Sequence, residues 1–141
     1  MEHFSVMPSE TLEALALRPG YRVIDGTTGL GGHSRLLAEA VGADGHVFAC
    51  DADPESLALA KANCAASSDR MTFTHSRFSE LPEKLAPHLP CDALLADFGT
   101  SMMHFTSGER GFSLMSDGPL DMRLDRTSDG QIGRASCRER V

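Results

Sequence analysis

Glycines 26, 29, 31 and 32 crowd into one short turn, between an apolar run closed by an acid, Val23-Ile24-Asp25, and a segment of helical spacing that begins at Ser34. A strand that ends, turns on glycines and re-enters as a helix is a ligand-binding construction. The glycine backbone turns tightly and admits a close ligand, while the first N–H groups of the helix point at whatever sits there. A phosphate-cradling loop needs Lys and then Ser or Thr after the spacing of Gly26 and Gly31, and finds Gly32 and His33 instead. The dinucleotide fingerprint is half present at Gly29 and Gly31, but its third glycine falls on Ser34. Asp25 would also set a carboxylate beside the pyrophosphate, where like charges repel. S-adenosylmethionine meets neither obstacle. Its sulfonium and ammonium are cationic, it carries no phosphate, and its one carboxylate suits a helix N-terminus.

Two further acids extend the pattern. Val47-Phe48-Ala49-Cys50 reads as a buried strand ending at Asp51, nineteen residues beyond Gly32, where a carboxylate can accept from both ribose hydroxyls. Asp51 could instead open the next helix, but Asp53 suits that role better, with Pro54 at the first helical position. Asp97 closes the apolar run Ala93-Leu94-Leu95-Ala96. Asp25, Asp51 and Asp97 therefore all fall at the carboxyl ends of predicted strands, the edge along which open α/β sheets bind ligands.

The remaining elements fall into an alternating order. Helices are predicted over 8–17, 34–41, 54–66 and 79–89, the last interrupted by proline, and strands over 21–25, 46–50, 71–74 and 92–96. Four strands alternating with helices imply right-handed βαβ units and a mostly parallel sheet covered on both faces, an α/β fold. From 98 to 126 neither periodicity persists, as in a functional or disordered loop. No low-complexity linker splits residues 1–130.

With 41% hydrophobic and 23% charged residues, the chain has the composition of an ordinary soluble domain. It carries no apolar run long enough to span a bilayer and no secretory signal, so a cytoplasmic location is expected. Cys50, Cys64, Cys91 and Cys137 lack metal or disulfide spacing and read as reduced structural residues. The net charge of −7 argues against a broad nucleic-acid surface, though a local patch would suffice for RNA. Removing the three arginines and one glutamate of 131–141 leaves 10 basic and 19 acidic side chains, a charge of −9. That last segment, Gln131 to Val141, breaks from the preceding pattern and resembles a translated sequencing adapter. It is set apart from the domain of 1–130; a basic RNA-binding tail is the alternative.

Four segments carry a resemblance: Val23-Ile24-Asp25-Gly26-Thr27 with Gly31-Gly32-His33-Ser34; Asp51-Ala52-Asp53-Pro54; His75-Ser76-Arg77-Phe78-Ser79; and Gly108-Glu109-Arg110-Gly111-Phe112-Ser113 continuing through Asp117-Gly118-Pro119-Leu120-Asp121-Met122-Arg123. From about His3 to Asp125 the chain resembles the ribosomal RNA small subunit methyltransferase H family, bacterial S-adenosylmethionine-dependent enzymes that modify N4 of a cytidine in 16S ribosomal RNA. The last segment is the most specific. The resemblance implies a truncated Rossmann-like class I methyltransferase fold, the small ribosomal subunit as partner, and cofactor contacts at Gly31, Gly32, His33, Asp51, Phe78 and Asp97. Asp25 joins that set from the reading of the turn, and no metal is implied.

By chemistry alone, Phe78 either packs on adenine or belongs to the core. His33 is a ligand or an exposed polar residue. Asp97 orients the acceptor amine or only binds the cofactor. Glu109, Arg110, Asp121 and Arg123 either shape the substrate side or brace a salt-linked loop. His104 stands where the family has a cofactor-binding glutamine, within a run, 99–104, that departs from the family's pattern. Family members are considerably longer, so the chain is expected to be weakly stable and inactive alone. A cofactor-binding module without turnover, or a methyltransferase for another substrate, are the competing readings.

Overall fold

A computed structural model describes residues 5–119 and 121–128; the tail 131–141, with Cys137, lies outside them. Contacts divide the chain into two compact units, Met1–Asp97 and Phe98–Val141.

In the first unit, four strands form one parallel sheet: β1 (Arg22–Asp25), β2 (His46–Asp51), β3 (Met71–His75) and β4 (Ala93–Leu95), in the order β3-β2-β1-β4. The chain steps outward from β1 to β3, then returns to place β4 on the other side of β1. The order therefore reverses between β1 and β4, which makes a topological switch point at their carboxyl ends. Asp25 and Leu95 are in register there, and the Gly26 N–H donates to the Leu95 carbonyl at 2.9 Å.

Side-chain alternation divides the core between the two sheet faces. Val23, Val47, Ala49 and Met71 pack with Leu37, Ala38 and Val41 of α2 (Gly32–Val41), and Leu12 and Leu15 of α1 (Pro8–Leu15) close over them. Ile24, Phe48 and Cys50 point the other way, onto Leu81 and Leu85. Cys50 and Cys64 are buried free thiols, and burial pushes Cys50 up to about 12, so it stays a protonated core residue.

The predicted helix over 54–66 is shorter as built. It is α3 (Pro54–Asn63), followed by a 3₁₀ segment at Ala65–Arg70. The predicted helix over 79–89 breaks into α4 (Leu81–Lys84) between 3₁₀ turns at Phe78–Glu80 and Ala86–His88. Pro87 is the reason: it has no N–H to give and its ring would strike the carbonyl four residues back.

The second unit holds a helix that the sequence pattern does not announce, α5 (Met102–Thr106), and a 3₁₀ turn at Gly108–Arg110. Five residues are too few to show a helical period. Among the described residues no helix is long and apolar enough to cross a membrane.

Candidate functional site

The turn after β1 is organised by carboxylates. Asp25 is fully buried; its Oδ1 accepts from the Thr27 N–H at 3.2 Å and its Oδ2 from the Ser34 hydroxyl at 2.5 Å. It thus ties the end of β1 to the first turn of α2. Burial pushes it up to about 6, against the opposing pull of Ser34, Thr27 and His33, with Asp51 adding to the rise. Asp51 reaches across from β2. Its Oδ2 accepts from the Gly29 N–H at 2.6 Å and its Oδ1 from the Asp53 N–H at 2.8 Å, which fixes the carboxylate and leaves it partly exposed. Each oxygen keeps a further lone pair for a hydroxyl donor.

Gly31 ends the turn as the cap of α2, at φ +87°. A Cβ added there would lie 2.8 Å from Cys64 Sγ, so only glycine lets α3 and the turn close together. The α2 cap has no side-chain partner. The first helical bond runs from the Arg35 N–H to the Gly31 carbonyl, which leaves the N–H groups of Gly32, His33 and Ser34 without a helical acceptor. Asp53 takes the capping role expected of it: Oδ1 accepts from the Glu55 N–H at 3.0 Å and Oδ2 from the Ser56 hydroxyl at 2.8 Å, opening α3.

Phe78 follows β3 and keeps 41% of its surface exposed. Its ring lies over Gly26, where an added Cβ would come within 3.0 Å of Cε2. The ring thus packs directly on the bare glycine backbone, and its remaining surface is open at the strand ends. On the β4 side, the Asp97 N–H donates to Thr27 Oγ1 at 2.7 Å while its carboxylate is half exposed. His33 Nε2 lies 2.9 Å from the Val6 carbonyl, and Nδ1 lies 3.9 Å from Asp97 Oδ2. The first unit therefore gathers Asp25, Gly31, Gly32, His33, Asp51, Phe78 and Asp97 along one edge. Thr27, Gly29, Ser34 and Val6 also build that edge and are not among the site residues assigned from the sequence, although Gly29 is read there as part of the glycine turn. Among the other three, Ser34, three residues into a helix that follows a strand-ending acid, is the one with a local signal.

The family model of the MraW methylase family matches residues 1–133. The chain belongs to that family. Two relatives named ribosomal RNA small subunit methyltransferase H agree with this placing. The one from Solibacter usitatus is 48% identical over 87% of this chain and 43% of its own length; the one from Nitratidesulfovibrio vulgaris is 44% identical over 90% and 36%. The chain thus spans less than half the length of these relatives. Among solved structures, TrmN from Thermus thermophilus matches at 26% identity with a TM-score of 0.58, covering 82% of this chain and 35% of that one. An S-adenosylmethionine-dependent O-methyltransferase from Thermotoga maritima matches at 31% identity and a TM-score of 0.52, covering 56% and 32%. The fold of this MraW-family chain is the Rossmann-like methyltransferase fold, present as a partial domain.

The second unit carries the segment most specific to the resemblance, and it is internally tied. Arg110 is buried and donates to the Leu124 carbonyl at 2.9 Å; Arg123 pairs with Asp121 through two nitrogens and donates to the Ser128 carbonyl at 2.5 Å. Asp121 is held below the usual carboxylate range by that guanidinium. His104 is buried in α5, where Nδ1 accepts from the Ser101 N–H at 3.1 Å and the ring stacks on Phe112, centroids 5.4 Å apart. It caps its own helix.

The opposite edge of the sheet differs in character. A depression of about 440 Å³ at the amino ends of β1 and β2 is lined by Arg22, His46, Phe48, Thr72 and His88. It lies away from the three acids, and burial together with the charges of Arg22 and His88 holds His46 below its usual range.

Proposed function

We propose that the acid-rimmed edge of this chain binds S-adenosylmethionine, and that the complete protein transfers its methyl group to N4 of a cytidine in the 16S RNA of the small ribosomal subunit. One observation carries the cofactor reading. Asp25 and Asp51 end two parallel strands and Asp97 follows a third, around the switch point and beside a helix start whose first N–H groups have no helical acceptor. That combination accepts a cationic donor with one carboxylate and repels a pyrophosphate.

The residues divide the cofactor between them. Asp51 accepts from the ribose hydroxyls, Phe78 over Gly26 flanks the adenine, and the N–H groups of Gly32 and His33 take the carboxylate. Asp25 and Gly31 hold the turn in shape from behind. His104 is assigned to the cofactor only by the family position it occupies. When bound, the cofactor supplies an electrophilic methyl on sulfur. The chain's own contribution is alignment of the acceptor and removal of its proton, and Asp97, half exposed at the switch point, is the group that orients the amine and accepts that proton. The target base leaves its stack to enter, which suits an unpaired loop of RNA.

The RNA reading is supported by the names of the relatives and by the segment from Gly108 to Arg123. Because the chain spans less than half of those relatives, we assign to it cofactor binding without turnover and place methyl transfer in the complete protein. Labelled methyl donor incubated with undermethylated small subunits separates these readings. The complete protein is expected to label the RNA and this chain to leave it unlabelled. Label entering through this chain alone overturns the second assignment, and no label with either overturns the RNA reading.

A further inference from the structure

We propose that the depression at the amino ends of β1 and β2 is a second binding site, which takes a phosphate group on the side chains of Arg22, His46 and His88, at the end of the sheet opposite the three acids. These residues come from β1, β2 and the 3₁₀ turn at Ala86–His88, and they converge on one ring. The Arg22 guanidinium carbon lies 5.3 Å from the centroid of Phe48, and the His46 and His88 rings lie 4.8 and 4.7 Å from it. Phe48 is buried, so it serves as an apolar floor on which three polar groups are set.

Each of the three keeps donors for a ligand. Arg22 spends one N–H on the Pro90 carbonyl, at 3.4 Å, out of the five that a guanidinium carries. His46 Nε2 lies 2.8 Å from Thr72 Oγ1, which fixes the ring and leaves Nδ1 without a partner among the described residues. The His88 ring rests on Phe48 and makes no hydrogen bond among the described residues. Phosphate is the anion that suits this set, because a guanidinium gives it paired N–H bonds and an imidazole adds another, stronger when protonated.

The local field has the sign an anion needs, in a chain whose overall charge is −7. Burial, then the positive charges of Arg22 and of protonated His88, hold His46 below its ordinary value. Two carboxylates stand nearby: Asp44 lines the rim and is exposed, and Asp92 accepts from the Arg22 backbone N–H at 2.7 Å. Neither is among the groups that set His46. A bound dianion offsets the two positive charges and favours the protonated ring, so binding takes up a proton and tightens as pH falls through the histidine range. Asp51 lies at the far end of β2 from His46, roughly 17 Å away, so an anion held here leaves the cofactor edge untouched. A small free anion and the backbone of an RNA strand offer the same group.

Ring-proton NMR signals of His46 and His88 in this chain, identified by their loss in His46→Gln and His88→Gln, test the site. Inorganic phosphate is added at about pH 6.5, against sodium chloride at equal ionic strength. Phosphate is expected to shift both signals saturably and to raise the His46 midpoint by about half a pH unit or more. Arg22→Gln should weaken the effect on His46 about fivefold or more, and His88→Gln, in a surface turn, serves as the second variant and should weaken it likewise. A short single-stranded RNA in place of phosphate identifies the source: the same shifts from RNA assign the group to a strand's backbone, and shifts from phosphate alone assign it to a small free anion. Phosphate shifts no larger than those of chloride, or shifts of His46 undiminished in both Arg22→Gln and His88→Gln, overturn the site.

Discussion

Burial of the Asp25 carboxylate beneath the start of α2 gives the site its sharpest electrostatic signature. The group is pushed up to about 6 in the folded chain, against an ordinary value of 3.8. Between those values the folded state holds a proton that the unfolded state has released, so stability falls as pH rises through that window. The cost is complete above about 6 and amounts to at most about 3 kcal/mol. Asp25→Asn is expected to remove that decline, so urea midpoints measured from about pH 4 to 7 should slope downward in the natural chain and run flatter in the variant. Glu80 and Asp121, both held low by cationic neighbours, and His46, held below its ordinary 6.5, act in the opposite sense, and the part due to Asp25 is therefore read as the difference between the natural chain and Asp25→Asn. Gly31 makes a steric prediction. Gly31→Ala meets Cys64 Sγ at 2.8 Å and a φ of +87°, and should cost about 1–3 kcal/mol by urea unfolding. Adding Cys64→Ala should recover the part due to the clash and leave the part due to backbone strain.

At the scale of elements, α3 depends on its first residue. Asp53 is buried, and both its oxygens are occupied by the Glu55 N–H and the Ser56 hydroxyl. Asp53→Ala therefore exposes an uncapped helix end and is expected to lower stability by about 1–2 kcal/mol in equilibrium unfolding, with Asp53→Asn losing much less. This cap is legible in the sequence because Asp-Pro before an apolar period is a local signal. The strands β1 and β2 are legible for the same kind of reason: Val23 and Ile24, then Val47, Phe48, Ala49 and Cys50, are apolar on consecutive positions because both sheet faces are covered. Where the reading fails, the information is not local. The proline interruption of 79–89 is legible, but α5 is shorter than the period that would reveal it. His33 can be picked out as a polar residue at a helix start, but its partners, Val6 and Asp97, lie far from it in sequence and only the fold brings them near.

For the molecule as a whole, the strand order matters more than any single contact. Because β4 returns to the far side of β1, the strand order reverses between them, the place where open α/β sheets form a ligand crevice outside the strand ends, and the acids at or just after the ends of β1, β2 and β4 lie along that edge. The account stands on that crevice favouring a sulfonium donor over a dinucleotide. Isothermal calorimetry of this chain with S-adenosylhomocysteine and with NAD tests the claim most directly, with Asp51→Ala as the control. Heat from S-adenosylhomocysteine alone, weakened about tenfold or more in Asp51→Ala by the loss of hydrogen bonds to a charged acceptor, is the result expected. Tighter binding of NAD, or S-adenosylhomocysteine binding that ignores Asp51→Ala, would contradict it.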